Sequence, residues 1–86
     1  MVQVRIRRQG AARRFEFRGH AGYAPRGQDV VCAAVSTVYD LLAGYAEPDA
    51  DALVLPEQAG LLAGAAQREL CRIAAAYPDH VRVTAE

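Results

Sequence analysis

The chain has 86 residues, enough for one small domain, and 52% of its side chains are hydrophobic while 23% are charged. This balance is typical of a globular protein and excludes a disordered chain, which lacks the apolar side chains that a core requires. The formal net charge of zero conceals a split. Residues 1–28 hold seven arginines and one acid, whereas residues 29–86 hold three arginines and nine acids.

The chain carries no pattern typical of a membrane or secreted protein. No uncharged apolar run approaches the roughly 18 residues that a membrane helix needs. Arginines stand among residues 5–8, where a signal peptide would place its apolar region. Two cysteines, Cys32 and Cys71, are too few for a disulfide framework. We therefore expect a single domain over residues 1–86, located in the cytoplasm.

Two alternating stretches at the start of the chain predict an antiparallel hairpin. Val2, Val4 and Ile6 share one side of the first stretch, and polar residues take the other. Phe15 and Phe17 do the same in the second stretch, after a turn at residues 9–10. The hairpin should have one apolar face and one arginine-rich face.

A loop and a helix are predicted next. Residues 19–28 carry three glycines and a proline and show no periodicity, and long loops of this kind are often functional. From Asp29 to about Ala46 the apolar spacing is helical, with Asp29 as the N-cap and Pro48 ending the helix. The predicted apolar stripe comprises Val31, Ala34, Val35, Val38, Leu41, Leu42 and Tyr45.

The second half of the chain predicts a strand, a helix and a final strand. Residues 52–55 form a short apolar run, residues 57–77 repeat apolar side chains at helical spacing, and residues 81–84 alternate again. The order ββαβαβ predicts an α/β fold, a two-layer sandwich of two helices on a small mixed sheet. The unit at residues 52–84 should have parallel strands. The second helical stripe comprises Leu62, Ala66, Leu70, Ile73 and Tyr77.

Cys32 is the strongest candidate for chemistry. It lies in the first turn of the predicted helix, on the flank with Asp29 and Ser36, where the positive end of the helix dipole favours the thiolate. His20 lies in the glycine-flanked loop that leads into this helix, so its imidazole could take the thiol proton. The alternatives left open are a partly buried apolar cysteine, a solvated histidine and a redox-sensing thiol.

The remaining candidates are weaker. Cys71 has no neighbouring base and no helix N-terminus, and we interpret it as structural or incidental. His80 is predicted to lie on the surface. The cysteines and histidines lack zinc spacing, and the glycines lack a nucleotide-binding pattern, so neither metal nor cofactor is expected. The arginine-rich hairpin leaves one alternative function, a non-catalytic dimeric module that binds ribosome or RNA.

The sequence from Gly19 to Ser36 resembles the ribosomal-processing cysteine protease family of bacteria, the Prp family. The resemblance rests on Gly19-His20-Ala21, followed by Gly27-Gln28-Asp29-Val30-Val31-Cys32-Ala33-Ala34-Val35-Ser36. Its signature is a Gly-His-Ala loop that precedes Gly-x-Asp-Ile-Val-Cys-Ala-Ala-Val-Ser on a helix. The match is dense over residues 19–36, and after residue 46 only element order and length carry it.

The resemblance implies a small homodimeric endopeptidase that acts without metal or cofactor. Family members trim an N-terminal extension from the twenty-seventh protein of the large ribosomal subunit, so RNA would be met only through the ribosome. By this likeness Cys32 is the nucleophile, His20 is the general base, and Asp29 orients the loop or His20. The implied substrate-binding residues are Gly19, Gly22, Gly27 and Ser36.

One segment is expected to differ from the family. Its members usually have a longer connection between the two helices, often with two strands. Here only about eleven residues separate Ala46 from the second helix, and the pattern predicts a single strand there.

Overall fold

A computed structural model of the chain describes residues 1–25 and 28–86. It contains one five-stranded sheet and two helices, and within those ranges neither helix has the length and apolar character of a membrane span. The elements are β1 (Val2–Gln9), β2 (Ala12–Arg18), α1 (Val30–Ala43), β3 (Glu47–Asp49), β4 (Ala52–Leu55), a 3-10 turn (Glu57–Ala59), α2 (Gly60–Ala76) and β5 (Val81–Ala85).

The sheet is mixed, in the order β3-β4-β2-β1-β5. β1 and β2 form the predicted antiparallel hairpin, with Gln9 opposite Ala12 and Gly10 at φ +64° in the two-residue turn between them. β5 pairs in parallel with β1, and β4 pairs in antiparallel with β2. β4 and β5 therefore run in the same direction, as predicted, but β2 and β1 lie between them.

One hydrophobic core lies between the sheet and the helices. Alternate side chains of β1 are buried at 1–5% exposure, and Phe15 of β2 is fully buried. The helices contribute Val31, Val35, Val38 and Leu42 from α1, and Ala63, Ala66, Leu70 and Ile73 from α2. Removal of this apolar surface from water is the main force that holds both helices on one face of the sheet. The predicted two-layer α/β sandwich is confirmed.

The predicted stripe of α1 was too long at its C-terminal end. Leu41 is 51% exposed and Tyr45 is 63% exposed, so neither belongs to the core. The helix ends at Ala43 with Gly44 as its C-cap, and Tyr45 therefore lies beyond it. Leu41 has the predicted spacing but lies on the edge of the stripe, where it lines a surface depression with Tyr45 and Leu61. Together with Leu61, which is 93% exposed, these residues form an apolar surface patch.

The segment between the helices holds two strands, so the prediction of one strand there was wrong. β3 pairs in antiparallel with β4, with Pro48 opposite Leu53. Pro48 was interpreted only as the end of the first helix, because proline cannot continue a helix. β3 is an edge strand, however, and an edge is where a sheet accepts proline. The connection is therefore short but resembles the two-stranded form expected of the family.

The face of the sheet opposite the helices is rich in arginine, as predicted. Ion pairs cross it from strand to strand: Arg7 to Glu16 at 3.3 Å, and Arg14 to Asp49 at 2.6 Å. Arg14 also lies 3.6 Å from Glu16. These acids neutralise part of the positive charge, because they lie among the arginines rather than in a separate region.

Candidate active site

A groove of about 660 Å³ lies where the loop after β2 meets the start of α1. The loop forms one wall and the first two turns of the helix form the other. It is lined by His20, Gly22, Ala24, Asp29, Cys32, Ala33 and Ser36. Five of the seven residues predicted for the site, from two separate segments, therefore share one surface depression.

Asp29 joins the loop to the helix. It is the N-cap of α1, as predicted, and its Oδ1 accepts a hydrogen bond from the Cys32 amide at 2.8 Å. Its Oδ2 accepts from the Tyr23 amide in the loop at 3.1 Å. These backbone donors, the Cys32 amide foremost, hold the pKa of the Asp29 carboxyl below its ordinary value. The two carboxylate oxygens therefore accept from backbone amides on both sides, one in the loop and one in α1.

Cys32 lies in the first turn of α1 and is half-buried. Its Sγ is 4.0 Å from the Ser36 Oγ, one helical turn further along the groove. The first turn of a helix lies at the positive end of the helix dipole. The Cys32 side chain also packs against the edge of the hydrophobic core.

His20 is exposed and lies on the opposite wall of the groove. Two glycines with positive φ define the backbone around it, Gly19 at +86° and Gly22 at +66°. A Cβ on Gly19 would overlap the backbone carbonyl oxygen of Met1, whereas a Cβ on Gly22 would meet open space. Gly19 is therefore required for close packing, and Gly22 for backbone conformation alone.

His80 was predicted to lie on the surface, and that prediction was wrong. It is half-buried against the loop, and its Nδ1 donates a hydrogen bond to the Ala21 carbonyl at 3.0 Å. Its ring also packs edge-on against Tyr23, with centroids 5.3 Å apart. The partners are separated by 59 positions, so no local signal in the sequence could have joined them.

The other predicted residues lie elsewhere. Gly27, predicted to bind substrate, lies outside the described residues. Cys71 is exposed on α2 and does not line the groove. In the described part of the chain, no group of three or more His, Cys, Asp or Glu side chains is placed to hold a metal ion.

The arrangement brings a thiol and an imidazole to the same groove. An imidazole that takes the proton of a thiol, and later returns it to a leaving group, is the pair that nucleophilic cysteine catalysis requires. His20 and Ser36, which both line the groove, are exposed to solvent.

Comparisons with known proteins show the family of the chain and the likeness of its fold. A sequence model of the family described as cysteine protease Prp matches residues 1–82. A search of curated proteins returned no match. The fold resembles the ribosomal processing protease Prp of S. aureus bound to a covalently linked product peptide, with a TM-score of 0.76, 19% identity and complete coverage of both chains.

Two further solved structures have the same fold. The protein SMU.848 of Streptococcus mutans gives a TM-score of 0.72 at 22% identity, covering 99% of this chain and 93% of that one. The S. aureus protease with a substrate peptide gives a TM-score of 0.67 at 18% identity, with both chains fully covered. At these identities the likeness concerns the fold, and the match of the family model concerns the sequence.

Proposed function

Because the chain belongs to the family of the cysteine protease Prp, we propose that it is an endopeptidase in which Cys32 and His20 cleave a ribosomal protein. The observation that carries this proposal is the shared groove, where the first-turn thiol of α1 faces the loop that holds the imidazole. Asp29 supports the pair as a positioning residue, since it bonds to both the loop and the Cys32 amide.

The proposed reaction has two halves. His20 takes the proton of the Cys32 thiol, and the sulfur attacks the scissile carbonyl carbon to give a tetrahedral intermediate. His20 then protonates the leaving amine, so that the carbon–nitrogen bond breaks and a thioester remains on Cys32. A water molecule, deprotonated by His20, hydrolyses the thioester and restores the thiol.

We assign the oxyanion of the intermediate to the loop side of the groove. The Cys32 amide already donates to the Asp29 carboxylate, and the Ala33 amide donates to the Asp29 carbonyl at 3.0 Å. These amides of the first turn are therefore occupied. Gly22 lines the groove, and without a side chain its backbone is open to a substrate oxygen. Loss of one oxyanion donor typically slows such reactions by about 10²–10³-fold.

The proposed substrate is the twenty-seventh protein of the large ribosomal subunit, from which the enzyme removes an N-terminal extension. The support is the family together with the S. aureus relatives, which are described as ribosomal processing proteases and were solved with a product and a substrate peptide. Gly19, Gly22, Gly27 and Ser36 are the proposed substrate-binding residues. The reaction needs no cofactor, and RNA is met only through the ribosome.

We place the enzyme in the cytoplasm as a homodimer. The apolar patch of Leu41, Tyr45 and Leu61 supports the homodimer, since large exposed apolar side chains in a small domain are typical of an interface. Sedimentation of the wild type and of Leu61→Asp tests the assembly. A wild type that is monomeric at micromolar concentration would contradict it.

The direct test is processing of the large-subunit protein in a purified system. The protein with its N-terminal extension is incubated with wild type, with Cys32→Ala, or with the matched control Cys71→Ala, and its N-terminus is determined by mass spectrometry. We expect a shortened product with wild type and Cys71→Ala, and none with Cys32→Ala. Cleavage by Cys32→Ala at the wild-type rate would overturn the mechanism. An intact N-terminus with all three enzymes would overturn the substrate.

A further inference from the structure

The turn between α2 and β5, residues 77–80, contacts the loop that carries His20. His80 in this turn donates from its Nδ1 to the Ala21 carbonyl, one residue after His20. Tyr23 of the loop packs edge-on against both rings of the turn, 5.6 Å from Tyr77 and 5.3 Å from His80. Ala21 is only 2% exposed, so the loop is drawn into the protein directly beside an exposed histidine.

The turn is itself fixed by the body of the protein. The amides of His80 and Val81 both donate to the Tyr77 carbonyl at 3.0 Å, which closes the turn. The His80 carbonyl accepts from the Val2 amide of β1 at 2.9 Å. The backbone of His80 is thus tied to the central sheet, while its side chain is tied to the loop. The turn can therefore hold the loop at a defined distance from the sheet.

The loop has a second attachment on the other side of the groove. The Tyr23 amide donates to the Asp29 Oδ2, and the Asp29 Oδ1 accepts from the Cys32 amide. Tyr23 thus connects the turn to the start of α1 with its ring on one side and its amide on the other. His20 precedes both attachments, between two glycines whose backbones would otherwise have wide freedom.

We propose that His80, supported by Tyr77, is a positioning residue. It fixes the backbone of the protein at Ala21, next to His20, and so sets the His20 imidazole opposite the Cys32 thiol. The inference rests on the proposed function, because it assigns a role in the Cys32–His20 reaction to residues outside the groove. His80 acts through the Ala21 carbonyl and does not touch the substrate. A small displacement of a reacting group can cost about 10²-fold in rate.

The test uses three variants of His80 that separate its hydrogen bond from its bulk. His80→Asn keeps a donor near the Nδ1 position, His80→Phe keeps the ring without the donor, and His80→Ala removes both. Val83→Ala is the matched control, since it removes packing of β5 against the core and Val83 does not line the groove. The readouts are kcat and KM on the substrate peptide, with the thermal midpoint measured beside them.

We expect His80→Ala to lower kcat by about 10–100-fold with less than about a threefold change in KM. His80→Asn should recover most of kcat, and His80→Phe should recover stability but not kcat. Val83→Ala should lose stability with kcat unchanged. Wild-type kcat in His80→Phe, or a loss in His80→Asn as large as that in His80→Ala, would overturn the inference.

The same assay separates this inference from the function beneath it. His20→Ala and Cys32→Ala are measured alongside, and both must lose activity if the proposed mechanism holds. Full activity in those two variants would refute the mechanism itself. Inactive His20→Ala and Cys32→Ala together with a fully active His80→Phe would refute only the role of His80.

Discussion

The two helices begin in different ways, and only the first begins with a capping side chain. α1 is entered from a glycine-containing loop and is capped by the Asp29 side chain, which holds both the loop and the Cys32 amide. α2 is entered through a 3-10 turn after Pro56 and has no side-chain cap. Each helix carries one cysteine, half-buried in the first turn of α1 and exposed along α2. The two thiols therefore differ in both their exposure and their surroundings.

The largest effect on stability should come from replacing a glycine by alanine in the segment that leads into each helix. Gly19→Ala forces a Cβ against the Met1 carbonyl at φ +86°, so we expect it to lower the free energy of unfolding by about 2 kcal/mol. Gly60→Ala places the methyl group in open space at φ −59°, where alanine suits a helix, and should raise it by about 0.5 kcal/mol. Urea unfolding measures both. Equal changes of the same sign would show that the backbone before α1 is no more constrained than the backbone at the start of α2.

A smaller effect should distinguish the two thiols. Cys71 is more exposed than Cys32, but only Cys32 has a helix N-terminus and a histidine in its groove. At pH 7 we expect iodoacetamide to alkylate Cys32 about tenfold faster than Cys71, because the thiolate is the reacting form. Peptide mass spectrometry after timed quenching gives both rates in one sample. Faster labelling of Cys71 would mean that exposure alone decides reactivity here.

The smallest effect concerns the cap and its pH dependence. The pKa of Asp29 is lowered in the folded state by the Cys32 and Tyr23 amides, so its contribution is present above the unfolded value of about 3.9 and is lost as pH falls through the folded value. Asp29→Ala should lower the thermal midpoint by a few degrees at pH 6. The difference between wild type and variant should shrink below about pH 4. Parallel curves from pH 6 to pH 3 would contradict this account of the cap.

Local patterns predicted most of the fold and the centre of the candidate site. Alternation identified β1 and β2, helical spacing identified α1 and α2, and a capping residue before an apolar run located the first turn that holds Cys32. What failed in the fold depended on pairing and packing that local patterns do not show. Pro48 was interpreted only as the end of a helix. The sequence does not show that residues 47–49 lie at the edge of the sheet, where a strand can contain proline. Leu41 was assigned to the core because it has the spacing of the apolar stripe. Spacing alone does not show where along α1 the packing ends.

In the candidate site too, some residues were found from local patterns and one was not. Asp29 and Cys32 are three positions apart, so their hydrogen bond follows from helix geometry. His20 was placed near Cys32 because the loop must return to feed the helix. His80 could not be found in this way, since its contact with Ala21 requires the parallel pairing of β5 with β1. Only the assembled sheet brings the final turn beside the loop.

The edge strand β3 has a consequence for how a peptide can bind. It offers three residues, and each is exposed: two carboxylates flank a proline without an amide hydrogen. Strand addition needs a run of free donors and acceptors, and proline and charge are the features by which natural sheets prevent it. The sheet is thus closed to extension by a substrate or by a second sheet along β3. A partner that extended this sheet as a further strand would therefore have to pair with β5, the strand at the other edge.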